Sequence, residues 1–468
     1  MTTNIPFDLA IVGSGSAAFA CAIEARRLGA SVVMIERDTT GGTCVNVGCV
    51  PSKALLAAAD ARFGAVAQSF PGVDTSAGPV DAAALVAGKD EIVDALREEK
   101  YEGLADHYGF SIVQGNAHFV EGPALEVDGR RVEASHYVIA TGASAWVPMI
   151  SGLDEVEYLT SSTAMELSKV PTSLIVIGAN AVGLEQAQLF ARLGAEVTIV
   201  EAQARVAPFE EPELSDALAA IFTGEGIAVR TAASVETVRS SKSGIVVSLE
   251  SPWGREELVA ESLLLATGRR PATADLGLQS VAVNLGATGE VLVDDELRTS
   301  NPRIFAAGDV TGYPQFVYVA GRHGTTVAAN ALADAHVRID YSSMPRVVFT
   351  SPALASVGLT QEQAESAGFD VESRTLTYDN VPRAIVSRDT RGVAKIVAEK
   401  LTGRVLGVHL LSAGAGDAIL AAVYALDENF SVDRLANSWT PYLTNAEAIK
   451  LAAQSFTRDV TELSCCAS

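Results

Sequence analysis

One pattern near the start of the chain constrains the fold more than any other. The apolar run DLAIV ends in Gly13-Ser14-Gly15, a small-residue helical pattern follows to Gly29, and then comes SVVMIER. Short continuous apolar runs flanking a small-residue helical segment predict strand, helix and strand within about thirty residues, the βαβ unit of a parallel sheet. The same order recurs at 173–201, as SLIVIGAN, AVGLEQAQLFARLGA and EVTIVE. VIATGAS at 138–144 is echoed by LLATGRR at 264–270, with ATG triplets starting at Ala140 and Ala266. Two similar nucleotide-binding units in tandem are the economical reading, with Pro148, Gly152 and Pro171 as punctuation between them.

A chain of 468 residues has room for about three domains. From Tyr341 the texture changes to RVVFT, ASVGL, ESRTLTY, GVAKIVAEK and VLGVHLLS, strands with two intervening helices, then helical patterns from Ala415 and over 445–456. This predicts an α+β domain without a nucleotide signature, which buries a face against something such as a second subunit. The net charge of −23 argues against nucleic acid or an anionic membrane as partner. The apolar stretches are cut by glycines or by Asp417, so no membrane span is expected and a cytoplasmic protein is the default.

Gly13-Ser14-Gly15-Ser16-Ala17-Ala18 fits G-x-G-x-x-A. Gly13 permits the tight turn, Gly15 lets backbone approach a pyrophosphate, and Ala18 keeps helix close to strand. Glu36, 23 residues after Gly13, is placed to accept hydrogen bonds from a ribose diol. In the second unit Gly178 and Gly183 bracket the turn, but Asn180 replaces the middle glycine. Asn tolerates unusual backbone angles, so the turn is expected to survive. Glu201, again 23 residues on, accepts from a free 2′-hydroxyl and repels a 2′-phosphate.

Directly after Glu36 comes GGTCVNVGCVPSK. Cys44 and Cys49 have four residues between them, and a helix is expected to begin around Cys49, where the backbone dipole favours a thiolate. Lys53 falls one turn on, on the same face. The remaining cysteines are Cys21, a small buried hydrophobe of the first helix, and the adjacent pair Cys465-Cys466 in the tail LSCCAS. Five cysteines are too few and too odd for a disulfide scaffold, and Cα atoms about 3.8 Å apart make a vicinal pair a poor staple. It is a good flexible dithiol for a soft cation.

GGTCVNVGCVPSK resembles the redox-active segment of the flavin disulfide reductases, and IFAAGDV at 304–310 resembles their second flavin motif. The resemblance covers essentially the whole chain. It implies two tandem Rossmann-like α/β domains plus a C-terminal α+β dimerisation domain. The expected division is FAD-binding over 1–150, NAD(P)-binding over 151–270, a return to the FAD domain over 271–340, and an interface domain over 341–468. It further implies that Asp309 holds the ribityl chain, that Cys49 lies against the flavin with Cys44 toward substrate, and that Lys53 pairs with Glu185. Gly42, Thr43, Thr141, Gly142 and Gly268 join the cofactor-binding set.

Two features separate the subgroups. Where disulfide reductases carry a C-terminal His in H-P-T-x-x-E, this chain reads Tyr442-Leu443-Thr444-Asn445-Ala446-Glu447. A phenol with a pKa near 10 is a poor proton shuttle at neutral pH. With the Cys465-Cys466 tail and VPRAIVSRDTRG, this is similar to the mercuric reductases. Many of those carry an N-terminal domain with its own Cys pair, whereas this chain starts at the flavin fold. The resemblance implies reduction of Hg(II) to Hg(0) by NADPH or NADH through FAD. Cys465 and Cys466 would collect the metal and Cys44 and Cys49 would hold it, with Tyr442 assisting, in a homodimer whose sites span both subunits. The family's habit is NADPH and Glu201 favours NADH, so the choice stays open, Arg205 being the nearest basic residue. The alternative is a thioredoxin reductase, some of which end in a vicinal Cys pair but keep the His.

Overall fold

The computed structural model describes residues 7–67, 69–312 and 314–460. They form two compact units. The first is built from the chain up to Leu55, Ala83–Val147 and Gly268–Ile339, and the second from Leu56–Ala82, Pro148–Thr267 and the chain from Asp340 on.

The first unit is organised on a five-stranded parallel sheet. Its order is Ile304–Ala306, Ala134–Ile139, Phe7–Val12, Val32–Glu36 and Ser111–Gln114, with Leu9 opposite Val32 on one side and His136 on the other. Every residue of Val32–Glu36 is buried, as expected of a strand covered on both faces. One covering layer comprises the helices Ser16–Arg27 and Val317–Ala333, whose apolar sides share a core with Leu9, Met34, Val138 and Phe305. Cys21 is fully buried in that core, a hydrophobe whose thiol burial pushes well above the ordinary range.

The second unit repeats the arrangement. Ala228–Arg230, Glu196–Val200, Ser173–Ile177, Ser262–Leu265 and Leu159–Thr160 form a second parallel sheet, with Leu174 opposite Val197 and Ser262. An antiparallel meander, Ser234–Ser241, Gly244–Ser251 and Gly254–Ala260, lies between its outer and inner strands in sequence. Beyond Asp340 the chain forms a five-stranded antiparallel sheet in the order Arg346–Val348, Ala353–Gly358, Val405–Ser412, Val393–Glu399 and Val371–Thr377. The helices Ala415–Asp427 and Glu447–Gln454 pack on it through Ile419, Ala422, Ile449 and Ala452. Two parallel α/β sheets and a C-terminal α+β sheet are the architecture expected from the sequence. Among the described residues no helix is long and apolar enough to cross a membrane.

Candidate active site

The two nucleotide turns are geometric copies. Gly13 has φ +102°, its N–H donates to Ile35 O at 2.8 Å, and a Cβ there would lie 2.4 Å from Ala140 O. Gly178 has φ +105°, donates to Val200 O at 2.8 Å, and a Cβ there would lie 2.4 Å from Ala266 O. Only glycine meets both demands, a left-handed backbone and a neighbouring carbonyl at contact. The middle position is different. Gly15 (φ −77°, ψ −172°) and Asn180 (φ −101°, ψ −171°) are both ordinary extended residues capping the helices Ser16–Arg27 and Ala181–Leu193. The turn therefore survives because nothing unusual is asked of residue 180, and tolerance of strained angles is not the reason. Ala18 and Gly183 are both buried in the helices behind their turns.

The strand-ending acids are tied down. Glu36 accepts from Ser14 Oγ at 2.6 Å and from Asp38 N at 2.7 Å, and Ser14 in turn accepts from Gly41 N at 3.1 Å. Glu201 accepts from Ala179 N at 2.7 Å and from Gln203 N at 2.8 Å. Ser14, 1% exposed, thus links the first acid to the thiol segment; it occupies a variable position of the glycine motif and carries no sequence signal.

The thiol segment is pressed against the first turn. Gly42 has φ +65°, and a Cβ there would lie 2.6 Å from Gly15 Cα, so Gly42, Thr43 and Cys44 enter the short helix Gly42–Asn46 directly beside the dinucleotide turn. Asn46 holds the loop through Thr40 O at 2.9 Å and Gly42 O at 3.0 Å, and accepts from Arg97 at 3.1 Å. The next helix runs from Cys49 to Val66; Pro51 falls in its first turn, where a missing N–H costs nothing. Cys49 is exposed and Cys44 half-buried. A hydrogen bond with Cys49, then burial, push the Cys44 thiol well above its ordinary range, with the Lys53 charge opposing. Cys44 is therefore held in its thiol form beside Cys49.

Tyr101 faces this pair. It lies in a π-helical turn, Glu98–Glu102, its ring packs edge-on against Phe19 at 4.8 Å, and its hydroxyl bonds the Ser16 side chain. Burial raises its pKa, and negative charge on Cys44 or Cys49 raises it further. Nothing in the sequence near Tyr101 marks it, although a π turn is often a site feature.

Residues 7–324 match the family model described as pyridine nucleotide-disulphide oxidoreductase, and 344–453 match that family's dimerisation domain. The chain belongs to the pyridine nucleotide-disulphide oxidoreductase family, with the mercuric reductases. It is 57% identical to the mercuric reductase of Streptomyces lividans over 98% of both chains. It is 46% identical to that of Bacillus cereus over 99% of this chain and 74% of the relative. Among solved structures it is similar to the Cu(II) complex of HOCl-induced flavoprotein disulfide reductase RclA from Escherichia coli, with TM-score 0.86, 29% identity, and 97% and 100% of the two chains covered. LpdA from Mycobacterium tuberculosis superposes with TM-score 0.85 at 25% identity, over 96% and 99%.

FAD and NAD(P)H are the cofactors of this oxidoreductase. The first unit fits FAD: backbone brought to contact at Gly13 and Gly42, an anchored acid at Glu36, and a second, half-buried acid at Asp309. Asp309 lies in the 3-10 turn Gly308–Thr311; burial raises its carboxyl pKa and Arg269, at 3.9 Å, opposes that. Thr141 donates to Ala272 O at 2.7 Å, Ala272 N donates to Gly142 O at 2.9 Å, and Trp146 N donates to Gly268 O at 2.9 Å. The segments after the two ATG triplets thus meet in the first unit, Ala143–Ala145 pairing with Arg269–Pro271.

His323, 1% exposed, accepts the Gly308 N–H on Nδ1 at 3.1 Å, and burial pushes its pKa down to about 4. The folded protein keeps it neutral while the unfolded chain takes a proton near pH 6.5. Its contribution to stability is complete above about pH 6.5 and is lost as pH falls toward about 4, at up to about 1.4 kcal/mol per pH unit. Unfolding free energies of wild type and His323→Asn, whose amide oxygen can accept the same N–H, are expected to converge between pH 7 and 4.5. A pH-independent difference would refute the assignment.

The other predicted residues fall in the second unit or outside the described chain. Glu185, 7% exposed on the helix Ala181–Leu193, accepts from Phe349 N at 2.9 Å. Two turns on, Arg192 is buried with its guanidinium on Glu225 at 2.7 and 3.0 Å, ion-paired to Asp60 and stacked 4.1 Å over Phe63. Asp60 and Phe63 belong to the helix that begins at Cys49. Tyr442, half exposed, precedes the helix Glu447–Gln454. Cys465 and Cys466 lie outside the described residues. Among the described residues no three metal-ligating side chains gather, so the inner site offers two sulfurs.

Proposed function

We propose that this chain reduces Hg(II) to Hg(0) at Cys44 and Cys49, as a cytoplasmic homodimer. The observation that carries the reading is the thiol pair itself: two sulfurs on adjacent helices, one half-buried and proton-bearing, one exposed at a helix N-terminus, against the dinucleotide turn. When bound, FAD and NAD(P)H supply the electrons: Hg(II) gains two, NAD(P)H becomes NAD(P)+, and one proton is released.

The protein's own groups do the rest. Soft sulfur ligands select a soft cation, so the exposed Cys49 takes the metal first and Cys44 follows by giving up its proton. The Tyr101 phenol, its pKa raised by burial and by negative charge on the sulfurs against the Ser16 hydrogen bond, stays protonated beside them as a donor to the exchanging ligand. Cys465 and Cys466 deliver Hg(II) from soluble thiols with help from Tyr442, and Lys53, one turn on from Cys49, orders the inner site. The similarity to mercuric reductases at up to 57% identity supports this assignment over a disulfide substrate.

The test is anaerobic: NAD(P)H oxidation on addition of Hg(II), with volatile mercury collected. One Hg(0) per nucleotide oxidised is expected, and no oxidation with thioredoxin disulfide. Nucleotide consumption with oxidised thioredoxin but not Hg(II) would overturn the reading. Tyr101→Phe, which removes one hydrogen bond at the thiols, is expected to lower Hg(II) turnover about tenfold; an unchanged rate would remove Tyr101 from the site.

A further inference from the structure

One arginine ties the chain segment of the thiols to the segment of Tyr101. Tyr101 lies in the π turn Glu98–Glu102, set between the helices Ala82–Arg97 and Gly103–Tyr108. A π turn closes from residue i to i+5, which brings Arg97 and Glu102 to one face where a regular helix would separate them. Arg97 uses that face. Its guanidinium pairs with Asp94, one turn back, and reaches Glu102 at 4.0 Å. Its Nη1 donates across to Asn46 Oδ1 at 3.1 Å. The Asn46 amide in turn donates to Thr40 O at 2.9 Å and Gly42 O at 3.0 Å, the carbonyls on either side of Gly41. A guanidinium suits this post, because its donors point in fixed and different directions.

The two segments touch where Arg97 joins them. Gly41 has φ +105°, and a Cβ there would lie 2.6 Å from Val45 Cγ1, 3.4 Å from Asn46 Nδ2 and 3.5 Å from Cγ of the Tyr101 ring. The ring therefore stands over bare backbone of the thiol segment, beside the Asn46 amide, and negative charge on Cys44 or Cys49 is felt at its hydroxyl. We propose that Arg97 is a positioning residue for mercury reduction: through Asn46 it staples the π turn to the thiol segment, and so sets how the Tyr101 phenol stands to Cys44 and Cys49. This rests on the reading above that Hg(II) is reduced at the thiol pair. Asn46 holds its own loop within residues 40–46 whether or not Arg97 is there. What Arg97 adds is the hydrogen bond that carries this order across to the turn, so its effect on the reaction runs through Tyr101.

The test uses the FAD-loaded full chain and two readouts. Arg97→Met keeps the aliphatic stem and removes the donors. It is expected to lower kcat for Hg(II)-dependent NAD(P)H oxidation about fivefold, with KM for the nucleotide held within about twofold. Added to Tyr101→Phe, the same change is expected to cost less than about twofold, because no hydroxyl is left to place. The second readout needs no turnover. Iodoacetamide is expected to alkylate Cys44, half-buried in the wild type, about fivefold faster in the prereduced Arg97→Met protein at one fixed pH, with the modified sulfur located by fragment mass spectrometry. The fully buried Cys21 should stay unmodified in both proteins. Losses that multiply in the double variant, a Cys44 rate equal to that of the wild type, or Cys21 reacting in step with Cys44 would each overturn the role of Arg97 and leave the thiol site standing. A wild type that turns over no Hg(II) would sink both readings.

Discussion

Replacing Cys49 with serine is expected to lower Hg(II)-dependent turnover by at least about a thousandfold, the equivalent of about 4 kcal/mol in the barrier. A serine hydroxyl does not ionise near neutrality and is a hard oxygen donor, so both the charge and the softness that hold the metal are lost. The scaffold should hardly notice, because Cys49 is exposed at the start of a long helix. Flavin content and nucleotide binding are expected to stay at wild-type levels. A second readout comes from its partner. The hydrogen bond with Cys49 is the largest cause of the raised Cys44 pKa, so in Cys49→Ser the pH at which Cys44 is alkylated should move down. Turnover of Hg(II) above a tenth of wild type, or an unmoved alkylation profile, would remove the pair from the reaction.

The largest loss of stability is expected from Arg192→Met. The guanidinium is 2% exposed and meets Glu225 at two points, Ser351 O at 2.6 Å, the Asp60 carboxylate and the Phe63 ring. Removing it leaves Glu225 with Arg391 at 2.7 Å and the Gln188 amide at 3.1 Å, and Asp60 with only the Arg391 charge against its desolvation. Breaking a buried pair from one side costs about 3–5 kcal/mol, which denaturant unfolding measures directly. Asp60→Asn should cost less, about 1 kcal/mol, because that carboxylate is 45% exposed. Arg192→Lys should not restore the wild type, since an ammonium cannot make the two-point contact with Glu225 and stack on Phe63 together. A loss below 1 kcal/mol in Arg192→Met would mean that the surrounding water replaces the cluster.

Much of this was legible in the sequence. Glycine, acid and thiol positions depend on local spacing: Gly13 to Glu36, Gly178 to Glu201, Cys44 to Cys49. The apolar run VLGVHLLS marked a strand of the C-terminal antiparallel sheet equally well, and all of its residues are buried. What stayed hidden depends on distant partners. Tyr101 is 52 residues from Cys49, and His323 reaches back to Gly308 from the helix Val317–Ala333, 15 residues on. Ser14 is one letter in a motif that accepts any letter there. Asn180 was read for its tolerance of strain, yet its backbone is unstrained, because a one-letter code shows which residue departs from a motif and not what angle the position requires.

The matched clamps at Gly13 and Gly178 have a consequence for which changes each turn can absorb. The two turns agree to 3° in φ, and a Cβ at either would lie the same 2.4 Å from a carbonyl oxygen. Both clamp positions are glycine, whereas the extended middle position is glycine in one turn and asparagine in the other. Dihedral angles, more than the letters of the motif, therefore sort tolerated from forbidden substitutions at these two turns.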